Sequence, residues 1–337
     1  MKRSPRLIKR AAVGLVAAAL VLGAWFAHWA TSELALRQTP LEFTVKAGAS
    51  LRTVARQMRD AGILPEPYRF ELLARMLGES SNVKAGSYEL PGPVTPYALL
   101  HKITSGDYAQ VAVTIVEGWT FRQLRQLLDQ TSQLDHRTRE MTDVDIMHAL
   151  GAVDQTSAEG WFLPETYYIS AGQSDLRLLG RAYRLMQAHL EREWERRDPR
   201  LPLSSPYQAL ILASIVEKET GRAEDRAMIA AVFINRLKLG MRLQTDPTVI
   251  YGLGESFDGN LRKQHLLSDH PYNTYTRTGM PPTPIAMPGL ASLHAVLNPA
   301  HTDALYFVAR GDGTTQFSRT LEEHERAVSR WQKASKR

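Results

Sequence analysis

The hydrophobic pattern of the chain opens with one unbroken apolar segment and then changes to short strands and amphipathic helices. Residues 11–30 contain no formal charge. A helix rises about 1.5 Å per residue, so a run of roughly twenty residues covers the roughly 30 Å of hydrocarbon in a bilayer. The pattern therefore predicts a transmembrane helix over residues 11–30.

The flanks of this segment predict its orientation. Residues 1–10 carry five basic side chains and no acidic one, and a basic flank stays on the cytoplasmic side. Trp25 and Trp29 lie near the other end, where indole rings favour the membrane interface. The alternative is a cleaved signal peptide, but the apolar run is long for one and no Ala-x-Ala site follows it. We expect a cytoplasmic tail (1–10), the membrane helix (11–30) and a short stalk (31–40).

A strand–turn–helix unit recurs between residues 41 and 130. Its first copy has alternating apolar positions, a glycine turn and Ser50 as a good N-cap, and its second copy repeats this order with Thr120 as the cap. A weaker copy lies around residues 88–103. The repetition predicts a small α+β region over residues 41–130.

The pattern in the rest of the chain is mostly helical. Residues 131–158 are polar and punctuated, which predicts a connecting helical segment, and residues 240–289 are rich in Thr, Pro, Gly, Asn and Tyr, which predicts a long loop. A glycine turn between two apolar runs predicts a β-hairpin over residues 305–318. Helices are predicted over residues 175–197, 207–220, 226–239 and 320–333.

Charge and composition exclude several classes of protein. The net charge is +6, and five basic residues precede Ala11, which leaves about +1 for the remainder. The basic character is therefore a topology signal and does not indicate nucleic-acid binding. The chain has no cysteine, which excludes disulfides, thiolate zinc sites and a cysteine nucleophile. The histidines form no HExxH pattern, so we expect no metal and no cofactor.

The strongest candidate for chemistry is the end of the predicted helix 207–220. This helix is apolar almost all round and ends with Glu217 and Glu219 just before Gly221. A carboxylate there meets the negative end of the helix dipole and an apolar wall, and both raise its pKa as a general acid requires. Spacing alone leaves the two glutamates nearly tied, and a polar, fraying helix end is the simpler alternative.

The neighbouring loops are suited to a sugar ligand. The segments 235–251 and 272–282 are dense in Tyr, Asn, Gln and Asp. Sugar hydroxyls need neutral hydrogen-bond partners, and sugar ring faces pack on aromatic rings. A loop with a purely structural role would share this composition, so the pattern by itself leaves both readings open.

Several ordered motifs resemble the endolytic murein transglycosylase (YceG-like) family, from the apolar anchor to the last helix. The motifs are EGWFLPET (159–166), ASIVEKET (213–220), VFINRL (232–237), MRLQTDPTVIYG (241–252), YNTY (272–275) and PG (288–289). The resemblance implies a LysM-like region over residues 41–130 and a catalytic domain over 159–337. The fold class is then α+β: a transmembrane helix, the LysM-like region, and a mostly helical catalytic domain with small β elements.

The family resemblance also implies the reaction and the site. It implies non-hydrolytic cleavage of MurNAc–GlcNAc bonds within glycan strands, with 1,6-anhydro-MurNAc ends and termination of strand elongation. It places the catalytic acid/base at Glu219, with Glu217 and Asp246 in support. One departure is Thr283, where a Gly or Ala is expected. The substrate-binding residues that it implies are Asn235, Gln244, Tyr251, Tyr272, Asn273 and Tyr275.

A single glutamate can carry this reaction, whereas ordinary glycosidases need two carboxylates. The expected location is the inner membrane with the catalytic domain in the periplasm, and the expected partners are peptidoglycan strands and cell-wall synthases such as penicillin-binding proteins. The alternative from another class is a non-catalytic glycan-binding scaffold of the envelope that recruits those synthases.

Overall fold

The computed structural model describes residues 5–36, 39–46, 48–106, 110–170 and 172–331. The chain forms two compact units. The first comprises Met1–Val111 with Tyr168–Gly172, and the second comprises Ala112–Tyr167 with Gln173–Arg337. Residues 1–4 of the predicted tail and Lys333 of the predicted last helix lie outside the described residues.

The first unit surrounds its core with four helices and one strand pair. Strands β1 and β2 pair antiparallel, with Leu41 opposite Leu90 and Val45 opposite Gly86. Inward-facing side chains of β1 and β2 join the buried faces of the helices, as the period-two alternation of a strand requires. The elements are α1 (Pro5–Thr31), β1 (Leu41–Val45), α2 (Leu51–Asp60), α3 (Pro67–Met76), β2 (Gly86–Leu90) and α4 (Pro96–Ser105).

Helix α1 confirms the predicted apolar helix and has the length and composition of a single-pass membrane anchor. Its part Val13–Thr31 is long and apolar enough to cross a bilayer. The end of α1 is not isolated, because Ala30 is buried in the core of the first unit, with Phe26 and Trp29 packed against that core. Leu34 is also buried there, and its N–H donates to Val94 O at 2.9 Å. The chain thus returns directly from the anchor to the first unit.

The predicted caps of the repeated unit are confirmed. Ser50 Oγ accepts from Thr53 N–H at 3.3 Å, and Thr120 forms a capping box with Gln123. Thr95 caps α4 in the weaker copy. The helix of the second copy lies in the second unit. Helix α3 had no sequence prediction, although Pro67 at its first turn is a helix-start signal.

The second unit packs helices around one buried helix, α8. Residues 209–216 of α8 are buried without a break, and α7, α9, α10 and α12 surround it. The elements are β3 (Gln110–Thr114), α5 (Phe121–Gln130), α6 (Asp143–Ala149), β4 (Thr166–Ser170), α7 (Asp175–Glu195), α8 (Pro206–Glu219), α9 (Ala223–Lys238), α10 (Asp246–Leu253), α11 (Lys263–Leu267), α12 (Leu290–Leu297), β5 (Tyr306–Ala309), β6 (Thr315–Ser318) and α13 (Leu321–Trp331). Strand β3 pairs with β4 and strand β5 with β6, and the division between the units crosses β3 and β4.

Two sequence predictions in this unit are confirmed and one is wrong. The long helices and the hairpin β5–β6 lie where the pattern predicts them. Helix α6 is the helical part of the segment 131–158, whose other residues are mostly turns and irregular backbone. The segment 240–289 is not a continuous loop, since it contains α10 and α11. Helix α10 begins at Asp246 because Pro247 fits the first turn of a helix. The apolar Val249 faces inward and fixes the helix to α8.

Candidate active site at the end of helix α8

One face of α8 holds the segment 285–292. Ser214 Oγ accepts from Ile285 N–H at 2.9 Å. One helical turn later, Glu217 Oε2 accepts from Gly289 N–H at 3.0 Å and from Ser292 Oγ at 2.7 Å. Residues three apart lie on the same side of a helix. Glu217 therefore holds in place, by hydrogen bonds, the backbone turn at which α12 begins.

The surroundings of Glu217 are closed. Its side chain is 6% exposed, and Arg226 Nη2 lies 3.9 Å from its Oε1. A Cβ atom at Gly289 would meet the carboxylate of Glu117, whose exposed side chain would have to move aside. The carboxylate of Glu217 is thus occupied on both oxygens by protein groups.

The loop 117–119 completes this side of the helix end. Gly118 N–H donates to Met287 O at 2.9 Å, and Met287 N–H donates to Trp119 O at 2.7 Å. Lys218 Nζ donates to Gly118 O at 3.1 Å. Lys218 therefore hydrogen-bonds to the backbone of this loop.

Glu219 points to a different side of α8 from Glu217. Two residues on a helix differ by about 200°, so they cannot share a face. Thr245 Oγ1 donates to Glu219 Oε1 at 2.7 Å. Within the described part of the chain, Oε2 of Glu219 accepts no hydrogen bond from protein, so this oxygen is available to a ligand.

The environment of Glu219 favours its neutral form. Burial raises the pKa of its carboxyl group, and the nearby Asp246 charge raises this pKa further. The hydrogen bond from Thr245 and the charge of Arg236 act in the opposite direction and lower the pKa. The net shift is upward, which is the direction that a proton donor at neutral pH needs.

Buried threonines fix the segment that carries Thr245. Thr245 N–H donates to Thr274 Oγ1 at 3.1 Å, and the hydroxyls of Thr248 and Thr274 are 2.8 Å apart. Gln244 has a left-handed backbone, with φ of 49°, and its N–H donates to Thr274 O at 3.1 Å. This conformation is uncommon for a residue with a side chain and persists only where neighbours hold it. The Gln244 side chain is exposed beside Thr245.

Asp246 is held as an acceptor beside Glu219. Tyr275 Oη donates to Asp246 Oδ1 at 2.6 Å. Asp246 is also the first residue of α10, where the helix dipole favours a negative charge. Burial and the Asp246 hydrogen bond raise the pKa of Tyr275, so its hydroxyl keeps its proton.

A second buried carboxylate, Glu159, lies in the same unit and was missing from the predicted site. It is 4% exposed. Its Oε1 accepts from Phe121 N–H at 2.9 Å, at the start of α5, and its Oε2 accepts from Tyr251 Oη at 3.0 Å. Burial raises its pKa to about 7. The sequence signal was a glutamate that opens an aromatic, apolar motif, EGWFLPET.

Tyr251 connects Glu159 to a second tyrosine. The rings of Tyr251 and Tyr272 are 4.9 Å apart with an interplanar angle of 53°. Tyr272 Oη lies 2.7 Å from Thr283 Oγ1, and Thr283 Oγ1 donates to Pro284 O at 2.8 Å. The residue that departs from the family pattern, Thr283, is therefore the hydrogen-bond partner of Tyr272.

The two predicted asparagines hold backbone. Asn273 is 2% exposed, its Nδ2 donates to the carbonyls of three residues between 265 and 268, and its Oδ1 accepts from Tyr275 N–H. Asn235 Nδ2 donates to Thr302 O at 2.8 Å and to Ala304 O at 3.1 Å. Asn235 also lines a separate cavity of about 140 Å³ with Asp198.

The structure therefore groups six of the predicted site residues in two sets, while Glu217, Asn235 and Asn273 hydrogen-bond to protein backbone. Contacts join Glu219 and Asp246 through Thr245 and Tyr275, with Gln244 next in the chain. Tyr251 and Tyr272 form an aromatic pair held by Glu159. Sequence reasoning missed Thr245 and Glu159, and for Thr245 the available signal was its position beside Asp246 in the quoted motif.

Comparison with known proteins identifies the family of the chain. The profile of the YceG-like family matches residues 43–330, which is most of the chain. The chain therefore belongs to the YceG-like family.

Individual relatives agree with this assignment. An endolytic murein transglycosylase of Bacillus subtilis (strain 168) is 30% identical over 311 residues, covering 87% of this chain and 85% of the relative. An endolytic murein transglycosylase of Streptococcus pneumoniae serotype 2 (strain D39 / NCTC 7466) is 26% identical, and the match spans 57% of that protein's length. A crystal structure of a YceG-like protein from Listeria monocytogenes matches with a TM-score of 0.54 at 29% identity, covering 85% of this chain and 98% of that one.

Proposed function

We propose that this protein is an endolytic lytic transglycosylase of peptidoglycan and that Glu219 is its acid/base catalyst. The observation that carries the assignment is the state of Glu219 at the end of a buried helix. One of its oxygens is oriented by Thr245, the other is available to a ligand, and its pKa is raised. The names of the relatives, endolytic murein transglycosylases, support the substrate class.

The mechanism needs one carboxyl group. Neutral Glu219 gives its proton to the glycosidic oxygen as the bond from that oxygen to MurNAc C1 breaks. The resulting carboxylate takes the proton of the MurNAc C6 hydroxyl, and the C6 oxygen forms a bond to C1. The products are a free GlcNAc hydroxyl and a 1,6-anhydro-MurNAc end. Glu219 regains its proton, and no water is consumed, which removes the need for a second catalytic carboxylate.

The neighbours of Glu219 have supporting roles in this proposal. The charge of Asp246 helps to keep Glu219 protonated. Arg236 limits that effect and stabilises the carboxylate that forms after proton transfer. Glu217 positions the segment 285–292 and touches no substrate. These roles separate the two glutamates that the sequence left nearly tied.

The substrate contacts are proposed from side chains that have polar or aromatic surface to offer. Gln244 is exposed next to Thr245, and the Tyr251–Tyr272 pair presents ring faces on which a sugar can pack. Tyr275 acts through Asp246. Asn235 and Asn273 support the site through the backbone they hold.

The proposal extends to topology and partners. The five basic residues within residues 1–10 favour a cytoplasmic N-terminus, and the chain that follows α1 then lies in the periplasm, attached to the inner membrane. Residues 41–130 are the proposed LysM-like region and residues 159–337 the catalytic domain. An anchored enzyme of this kind can end the elongation of nascent strands near cell-wall synthases.

The test is an analysis of muropeptides released from purified sacculi by the full chain in detergent. We expect internal cuts and ends of 1,6-anhydro-MurNAc with wild type. Glu219→Gln is expected to release none, and Glu224→Gln, an exposed glutamate of α9, serves as the matched control. Products with only reducing MurNAc ends would show hydrolysis. Binding of glycan without any cleavage would favour the non-catalytic scaffold.

A further inference from the structure

An open apolar groove lies between α1 and α3 of the first unit. Its volume is about 560 Å³, and it is lined by Leu22 and Phe26 of α1, by Leu72, Met76 and Leu77, and by Tyr97 of α4. Tyr68, Leu72 and Met76 continue its wall as one stripe on α3, at intervals of four residues, and they are 64%, 47% and 68% exposed. Contiguous exposed apolar surface of this kind marks a membrane or protein contact.

The length of the anchor places this groove at the membrane. Charged residues end at Arg10, and the groove begins at Leu22. If the groove lay wholly above the bilayer, only residues 11–21 would cross it, and at about 1.5 Å per residue they reach roughly 16 Å. The hydrocarbon core is about 30 Å thick. The bilayer therefore extends along the part of α1 that forms the groove wall.

The charges beside the groove are compensated, as a position near hydrocarbon requires. The Arg69 guanidinium lies 4.5 Å from the centroid of the Trp25 ring and forms an ion pair with Glu66 at 2.5 Å. Tyr68 Oη donates to the same carboxylate at 2.8 Å. Tryptophan, tyrosine and a paired arginine are the residues expected at the level of the lipid headgroups.

We propose that this face of the first unit is immersed in the lipid leaflet nearest to it and that the groove takes up phospholipid acyl chains. Lipid is the occupant because the groove is continuous with the surface of α1 that the bilayer already covers. Amphipathic helices at a membrane surface enter it by about 5–10 Å, which is enough to cover the α3 stripe. The first unit is then attached to the membrane by this immersed face as well as by helix α1. The inference depends on the anchor and is independent of the glycan chemistry.

Site-specific fluorescence tests the proposal, because the chain has no native cysteine. Single cysteines are introduced in the full chain as Met76→Cys and Tyr97→Cys and labelled with an environment-sensitive dye. The protein is reconstituted in vesicles of phosphatidylethanolamine and phosphatidylglycerol. Leu239→Cys is the matched control, since Leu239 is an apolar residue of the second unit with 64% exposure.

We expect blue-shifted emission at positions 76 and 97 and at least several-fold stronger quenching by lipids spin-labelled near the headgroup than at position 239. Equal quenching at all three positions would overturn the proposal. Blue-shifted emission at 76 and 97 without quenching by the labelled lipids would also overturn it, since a second copy or another protein would then cover the face. Neither readout requires transglycosylase activity, so a failure here leaves the proposed function unaffected.

Discussion

Glu219 and Glu159 are both withdrawn from water in the second unit, and burial raises the pKa of both carboxyl groups. They differ in their contacts. Both oxygens of Glu159 accept hydrogen bonds, from the start of α5 and from Tyr251, whereas among the described residues only one oxygen of Glu219 accepts one. A raised pKa is therefore not sufficient to identify a catalytic acid. The accessible oxygen distinguishes the group that can meet a substrate from the group that positions other residues.

The two sites also differ in how their protein neighbours are held. The hydrogen-bond partners of Glu159 are the backbone N–H at the start of α5 and the hydroxyl of Tyr251. The charge state of Glu159 therefore affects packing and stability. The partner of Glu219 is Thr245, which buried threonines fix in place. Changing the two carboxyl groups should thus affect different observables, activity for Glu219 and stability for Glu159.

The largest expected effect is that of Glu219→Gln on turnover. The substitution keeps the shape and the acceptor for Thr245 but removes the transferable proton. Removal of a sole general acid/base costs at least the roughly 10²–10⁴-fold that such catalysis contributes. Release of anhydro-muropeptides, measured by mass spectrometry, should fall by this factor, while the melting temperature stays at or above that of wild type. Activity of Glu219→Gln within tenfold of wild type would contradict the assignment of Glu219 as the acid/base.

The next effect is on the pH dependence of stability at Glu159. Its pKa is about 7 in the folded protein and near 4.3 in an unfolded chain. The folded state therefore binds the proton more tightly. The stabilisation is present at low pH and is lost as pH rises from about 4.5 to about 7, to a total on the order of 3 kcal/mol.

Glu159→Gln tests this difference, because glutamine resembles the neutral acid at every pH. Denaturant unfolding at several pH values should show that the variant lacks this part of the fall, so that it gains stability relative to wild type between pH 4.5 and 7. Glu165→Gln, an exposed position of the same motif, is the control. A parallel pH dependence in wild type and Glu159→Gln would contradict the expected raised pKa.

The sequence predicted the elements of this unit better than the contacts of its site. The apolar run of α8 and the glycine after it identified a buried helix end with two glutamates. The sequence did not show which way each glutamate points. That depends on where Thr245 and Gly289 lie in space, and both are distant from α8 along the chain. The role of Glu159 depends in the same way on Phe121 and Tyr251. Periodicity carries no information on such long-range pairs, because it reports only which face of an element is apolar.

Local signals were also outweighed in two places. The segment 240–289 has the composition of a loop, yet it contains helix α10, which begins at Asp246. A proline at position 247 is compatible with the first turn of a helix, and the apolar residues that follow it pack toward α8. Asn273 is a residue type that often binds sugars, but its side-chain NH2 group donates its hydrogen bonds to loop carbonyls. Composition describes which bonds a side chain can make, and the fold decides which partner is nearest.

A smaller effect is expected at Glu217, which tests whether the neighbour of Glu219 is only a positioning group. Glu217→Ala leaves Gly289 N–H and Ser292 without their buried acceptor, which costs about 1–3 kcal/mol of stability. Glu217→Gln retains an acceptor and should keep activity within about tenfold of wild type. Thermal unfolding and the muropeptide assay measure the two quantities. If Glu217→Gln lost as much turnover as Glu219→Gln, Glu217 would not be only a positioning group.

The smallest effect is a shift in the pH–rate profile caused by Thr245. Its hydroxyl donates to Glu219 Oε1 and lowers the pKa of that carboxyl group. Thr245→Val keeps the volume of this buried side chain and removes the donor, so the pKa of Glu219 should rise. In the proposed reaction Glu219 acts in its protonated form, so the rate should fall as pH passes above its pKa, and this limb of the profile should move to higher pH. Thr245→Ser keeps the hydroxyl and should leave the limb in place. A shift of the limb to lower pH in Thr245→Val would mean that the titrating group seen in turnover is not Glu219.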